Sequence, residues 1–117
     1  MAQRIEIRAG DLLLDAGDAI DTGATVNIIA SNTGEATQII DVQTGAISVL
    51  GGGGAGELAQ ITSAGFDGSQ GLAQSIFALN NILLEGGDAS GAQALILATG
   101  SQGRQLLVTQ TGDLSIL

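Results

Sequence analysis

The stretch QIIDVQTGAISVL, residues 38–50, consists of two short aliphatic runs separated by Thr44-Gly45. Runs of this length bounded by Gly, Asp, Asn, Ser or Thr read as strands and turns, and the same punctuation continues in both directions. It predicts strands at Arg4–Arg8, Leu12–Asp15, Ala24–Ser31, Gln38–Val42 and Ala46–Leu50. A second set follows at Ser75–Leu79, Ile82–Glu85, Ala92–Ala98, Gln105–Thr109 and Leu114–Leu117, with turns at Ala9-Gly10, Asn32-Thr33-Gly34, Asn80-Asn81, Ser101-Gln102-Gly103 and Thr111-Gly112.

The two sets look alike. Residues 38–50 align with QLLVTQTGDLSIL at 105–117, and AGDLLLDAGD at 9–18 aligns with LNNILLEGGD at 79–88. A unit used twice, neither copy able to bury its apolar face alone, predicts two halves packed on each other. The expected fold is therefore an all-β sandwich or barrel-like domain, with residues 1–50 as the first repeat and 75–117 as the second. Residues 51–74 form the connector, a Gly-rich loop or arm in which Glu57–Ser63 allows one or two helical turns with Leu58 and Ile61 on a common side.

Composition narrows the function. One domain is what 117 residues allow. There is no Cys, His or Lys, which removes disulfides, the usual transition-metal ligands, and Ser-His, Cys-His and Ser-Lys nucleophiles. Three Arg against twelve acids give a net charge of −9, which repels phosphate backbones, so no nucleic acid is expected as a partner. No long apolar run or signal-like start marks membrane insertion or secretion. Neither enzyme nor cofactor is expected.

Two motifs invite chemistry. Gly51, Gly53 and Gly56 satisfy the G-x-G-x-x-G of a dinucleotide-binding turn, but four consecutive glycines meet that pattern by accident and the chain shows no βαβ alternation. Asp11, Asp15, Asp18 and Asp21 are a dense set of hard oxygen ligands suited to Ca²⁺, although their spacing is not that of an EF-hand; solvated turn carboxylates are the simpler account, and no metal is expected.

Consecutive aliphatics such as Leu12-Leu13-Leu14, Ile28-Ile29, Leu83-Leu84 and Leu106-Leu107 put apolar side chains on both faces of a strand. A small domain covers few sheets on both sides, so the second face is expected to meet other chains. Leu13, Ile29, Leu83 and Leu107 are the candidate contacts, joined by the Gly51–Gly56 arm. Arg4, Arg8 and Arg104, the only cations, are candidates for fixed salt bridges.

The short strands joined by Thr-Gly and Gly-Asp turns, above all VTQTGDLSIL (108–117) and IRAGDLLLDAG (7–17), resemble bacteriophage virion surface proteins of the capsid-decoration (cement) and head- or tail-fibre types. The resemblance implies a structural protein of the virion that forms a homo-oligomer, commonly a trimer, and binds the major capsid protein or another virion protein. A filament or pilus-like subunit polymerising by strand complementation, and a calcium- or ligand-binding β-module, are the alternatives.

Overall fold

The computed structural model describes residues 3–17, 25–30, 38–63, 72–98 and 104–117, the side chains of Leu72, Ala73 and Arg104 excepted. Within them eleven strands follow one another: β1 (Gln3–Ile7), β2 (Leu12–Asp15), β3 (Thr25–Ala30), β4 (Gln38–Val42), β5 (Ile47–Leu50), β6 (Leu58–Ser63), β7 (Leu72–Ala78), β8 (Ile82–Glu85), β9 (Gln93–Ala98), β10 (Arg104–Thr109) and β11 (Leu114–Ile116). The sequence locates ten of them to within a few residues. The eleventh, β6, lies in the connector expected to be a loop or arm that allows a helical turn. Its alternation decides the matter: Ala59, Ile61 and Ser63 are buried while Leu58, Gln60 and Thr62 are half-buried, so Leu58 and Ile61 lie on opposite faces.

The all-β expectation holds, and the sheets face one another across a shared interior. The wiring is that of a parallel solenoid. Among the described residues no strand pairs with its neighbour in sequence; each pairs in parallel with the strand three places on, giving sheets ordered β1-β4-β7-β10, β11-β8-β5-β2 and β3-β6-β9. One turn of the coil visits all three sheets and takes roughly 35 residues, within the range that signals solenoids. The rungs are β1–β2–β3, β4–β5–β6, β7–β8–β9 and the two-stranded β10–β11. Parallel pairs need a long crossover, and here the other two faces of the rung supply it.

Inward side chains stack in columns. Ile5, Ile40, Ile76 and Leu107 occupy one, and Leu12, Ile47, Ile82 and Leu114 another. Ile40, Val42, Ile47, Ile61, Ile76 and Ile82 of the middle rungs are wholly buried, each contributing about 1.5–3 kcal/mol relative to exposure. With two Phe and no Trp or Tyr in the chain, slim aliphatics fill a narrow interior.

One inward column is polar. Gln3, Gln38, Gln74 and Gln105 pair in register, and their amides form a ladder. Gln38 Nε2 donates to Gln3 Oε1 at 2.7 Å, Gln74 Nε2 to Gln38 Oε1 at 2.7 Å, and Gln105 Nε2 to Gln74 Oε1 at 2.5 Å. Side-chain nitrogens of the column also reach the third sheet: Gln3 donates to the carbonyl of Ile29, Gln38 to that of Thr62 and Gln105 to that of Ile96, at 3.0–3.1 Å. The ladder thus sews the first sheet to the third while leaving its buried amides paired.

The corner between the first two sheets explains the sequence likeness. Asp11 Oδ1 accepts from the Ala46 amide at 2.8 Å, and Asn81 Oδ1 from the Asp113 amide at 2.9 Å. These side chains cross Gly45 and Gly112, where a Cβ would collide with them. Thr44 and Thr111 donate to the carbonyls of Arg8 and Leu79 in the rung before. Segments 38–50 and 105–117 are therefore the second and fourth rungs, and 9–18 and 79–88 begin at this corner of the first and third. The structural unit is the single rung.

The Gly-rich opening of the connector is not a projecting arm. Gly51–Glu57 is the corner between β5 and β6, where Gly51 donates to the carbonyl of Glu85 at 2.8 Å and Gly56 to that of Ser90 at 3.0 Å. Gly51 and Gly54 are buried. The stretch is glycine because the next rung passes too close for side chains: a Cβ on Gly51 would sit 2.6 Å from the Gly87 nitrogen. Residues 64–71 of the connector lie outside the described residues.

Candidate assembly interface

The outer walls carry apolar side chains that the interior has no use for. Leu13 on β2 is 60% exposed and Ile29 on β3 is 47% exposed, both pointing outward, and Leu83 on β8 is outward and half-buried. Leu107 is different. It points inward against the core, and the outward residue of its pair is Leu106. The sequence shows that the two face opposite ways, but with the register unknown it cannot say which goes in.

The ends of the stack also leave apolar side chains uncovered. In the first rung the inward Ile5, Ile7, Leu12, Val26 and Ile28 are only partly buried, whereas their counterparts on β4 to β8 are buried; Ala94 and Ile96 on β9 are partly buried like them. In the fourth rung Leu114 is 48% and Ile116 73% exposed, although both stand in inward columns. Only one side of β1, β2, β3, β9, β10 and β11 is hydrogen-bonded to another described strand. Open parallel edges of this kind are templates for further pairing.

The charged candidates sit at the first-rung end. On the outer face of β1, Arg4 lies 3.3 Å from Glu6 and 3.8 Å from Asp41, and Arg8 lies 2.9 Å from Glu6. Hydrogen bonds from Arg8 and then Arg4 hold the Glu6 carboxyl below its ordinary value of 4.5, and Glu6 raises the Arg8 guanidinium. Since a depressed folded-state pKa stabilises above the unfolded value, Glu6's small contribution is complete above about pH 4.5 and is lost as pH falls through its folded pKa. Melting curves of the wild type and Glu6→Gln are accordingly expected to differ slightly at pH 6, with the wild type higher, and to converge in acid. The Arg104 side chain lies outside the described residues.

Of the four candidate carboxylates, the two among the described residues do not meet. Asp11 caps Ala46, while Asp15 accepts from its own neighbour Gly17 at 3.0 Å. They stand at opposite ends of β2, about 13 Å apart along an extended chain. Asp18 and Asp21 are outside the described residues, and among the described residues no group of three or more acids is disposed to hold a metal ion. Millimolar Ca²⁺ is expected to leave the melting temperature unchanged, since only binding to the folded state would raise it.

A shallow cleft of about 220 Å³ opens at the second corner, where Asp15, Glu85 and Asp88 surround Gly52 and Gly87. Beneath the same corner Glu57 is fully buried: its Oε2 accepts from the Gly54 amide at 3.0 Å, and its Oε1 has no partner among the described residues. Gly51, Gly53 and Gly56 belong to this corner. The strand β6 follows them, so the helix N-terminus on which a dinucleotide-binding turn depends is missing. Among the described residues no helix is long and apolar enough to cross a membrane.

No protein-family model matches this chain. No curated protein and no solved structure matches it either.

Proposed function

We propose that the chain is a non-enzymatic structural protein that assembles with copies of itself and binds a larger assembly, in the manner of a capsid-decoration protein or related virion component. The observation that carries this reading is the surplus of exposed aliphatic surface, from Leu13, Ile29, Leu97 and Leu106 on the walls to Leu114 and Ile116 at one end. Each such side chain contributes about 1.5–3 kcal/mol when covered, before ordering costs. On this reading the chain forms a trimer on the virion, held to the major capsid protein by its walls. The likeness of alternate rungs supports an origin by duplication of a rung pair.

A second reading, an extracellular filament, is favoured by the difference between the two ends. An interface joining unlike surfaces grows open polymers unless its rotation closes a ring. Light scattering across a dilution series, with electron microscopy of the same sample, separates the readings. Oligomers whose mass rises with concentration are expected, closed rings for the decoration role and rods for the filament. A monomer at every concentration overturns both. Because a net charge of −9 opposes contact between copies, raising the salt concentration is expected to strengthen association.

A further inference from the structure

Every bond of the glutamine ladder runs the same way: the amide nitrogen of each rung donates to the side-chain oxygen of the rung before. The column therefore ends unlike at its two ends. Gln105 Oε1 has no donor among the described residues, while Gln3 Nε2 donates only to the Ile29 carbonyl and keeps a second N–H. The corner column ends likewise. Asp11 and Asn81 each cap an amide of the following rung, and Asp113, at the same corner of the fourth rung, caps no amide among the described residues.

From this we infer that the fourth rung of one copy stacks in parallel register on the first rung of the next, β10 against β1 and β11 against β2. The inference rests on the self-assembling reading above in its open, rod-forming version, since a head-to-tail join in register repeats without closing a ring, and names its partner, a second copy of this chain, and its surface. Stacking continues the inward columns of the first two sheets in kind; in the third sheet the next copy's β3 would stand two steps from β9, because the fourth rung adds no described strand there. Leu107 meets the next copy's Ile5, Leu114 meets Leu12 and Ile116 meets Leu14, while Gln3 Nε2 donates to Gln105 Oε1. Asp113 then reaches the next copy's turn over Gly10, where a Cβ would meet nothing within 4 Å, as Asp11 crosses Gly45. Unlike ends are required. Two first-rung ends would oppose amide N–H groups, and two last-rung ends would oppose side-chain oxygens.

The test uses two end variants of the full chain, each first checked by circular dichroism for a cooperative melt. Ile116→Asp places a charge at the last-rung end, on a residue already 73% exposed; Leu12→Asp does so at the first-rung end. Sedimentation is expected to show each variant alone associating at least tenfold more weakly than the wild type. Mixed in equal amounts, the two are expected to form a complex of twice the chain mass, because each retains the end that the other lacks. If Leu12→Asp does not fold, Gln3→Glu replaces it, since it still accepts from Gln38 but sets a carboxylate against Gln105 Oε1. A stable homodimer of either variant alone overturns the head-to-tail arrangement. Undiminished association of the end variants, together with its loss in Leu13→Asp or Leu83→Asp, overturns end stacking while leaving side-by-side self-assembly standing. A monomeric wild type at all concentrations overturns both.

Discussion

Replacing Gln74 by Ala is expected to lower the unfolding free energy by about 3–5 kcal/mol, the largest effect of any single ladder residue. Gln74 is wholly buried and bonded on both sides, to Gln38 above and Gln105 below. Truncation removes the donor to Gln38 Oε1 and the acceptor of Gln105 Nε2, and an unpaired buried polar group costs about 1–3 kcal/mol. The vacated volume adds a cavity term. Equilibrium urea unfolding measures the loss, and two companions apportion it. Gln74→Leu refills the volume without restoring the bonds and should recover only part of the stability. Gln74→Glu keeps the acceptor for Gln105 but sets an oxygen against Gln38 Oε1, and should be no better than Ala at neutral pH. A loss under about 1 kcal/mol for Gln74→Ala would mean that water replaces the ladder bonds.

Gly87→Ala is expected to cost about 3 kcal/mol or more, for a reason unrelated to glycine's freedom. Its Cβ would overlap the Gly52 carbonyl oxygen and lie 2.9 Å from the carbonyl carbon and 2.7 Å from Ala92 Cβ. The obstacle is the backbone of the adjacent rung, which cannot retreat without opening the bond from Gly51 to Glu85. Gly56→Ala is the control. Gly56 has a φ of 71° but nothing near its Cβ position, so only the left-handed conformation is penalised, at about 1–2 kcal/mol. Thermal or urea unfolding of the pair should rank Gly87→Ala clearly below Gly56→Ala. The reverse order would show that the corner relaxes and that conformation, not crowding, sets the requirement for glycine there.

Much of the fold was legible because strands are a local matter. Turn residues and short aliphatic runs locate β2 and β8 to the residue. Pairing is not local, and here the sequence misleads in an instructive way. Alternate rungs resemble each other most, because Asp11 and Asn81 need the glycines of the next rung, so the visible repeat spans two rungs and hides the one-rung period. The loop with an allowed helical turn at Glu57–Ser63 proves to be a strand, because Leu58 and Ile61 suit a helical spacing as well as they suit opposite faces of a strand; the small Ala59 and Ser63, both inward with Ile61, were the contrary signal. The glutamines at 38 and 105 stood out only as matched letters. That Gln3 and Gln74 share their column follows only from the register, and so does the inward turn of Leu107.

The coil also fixes how the molecule scales. Among the described residues each rung's strands pair only with those of the rungs on either side, and parallel strands stack about 4.8 Å apart. Adding or deleting one whole rung would therefore lengthen or shorten the body by that single step without changing its cross-section. Such a chain is in effect a molecular ruler, graduated in units of one glutamine.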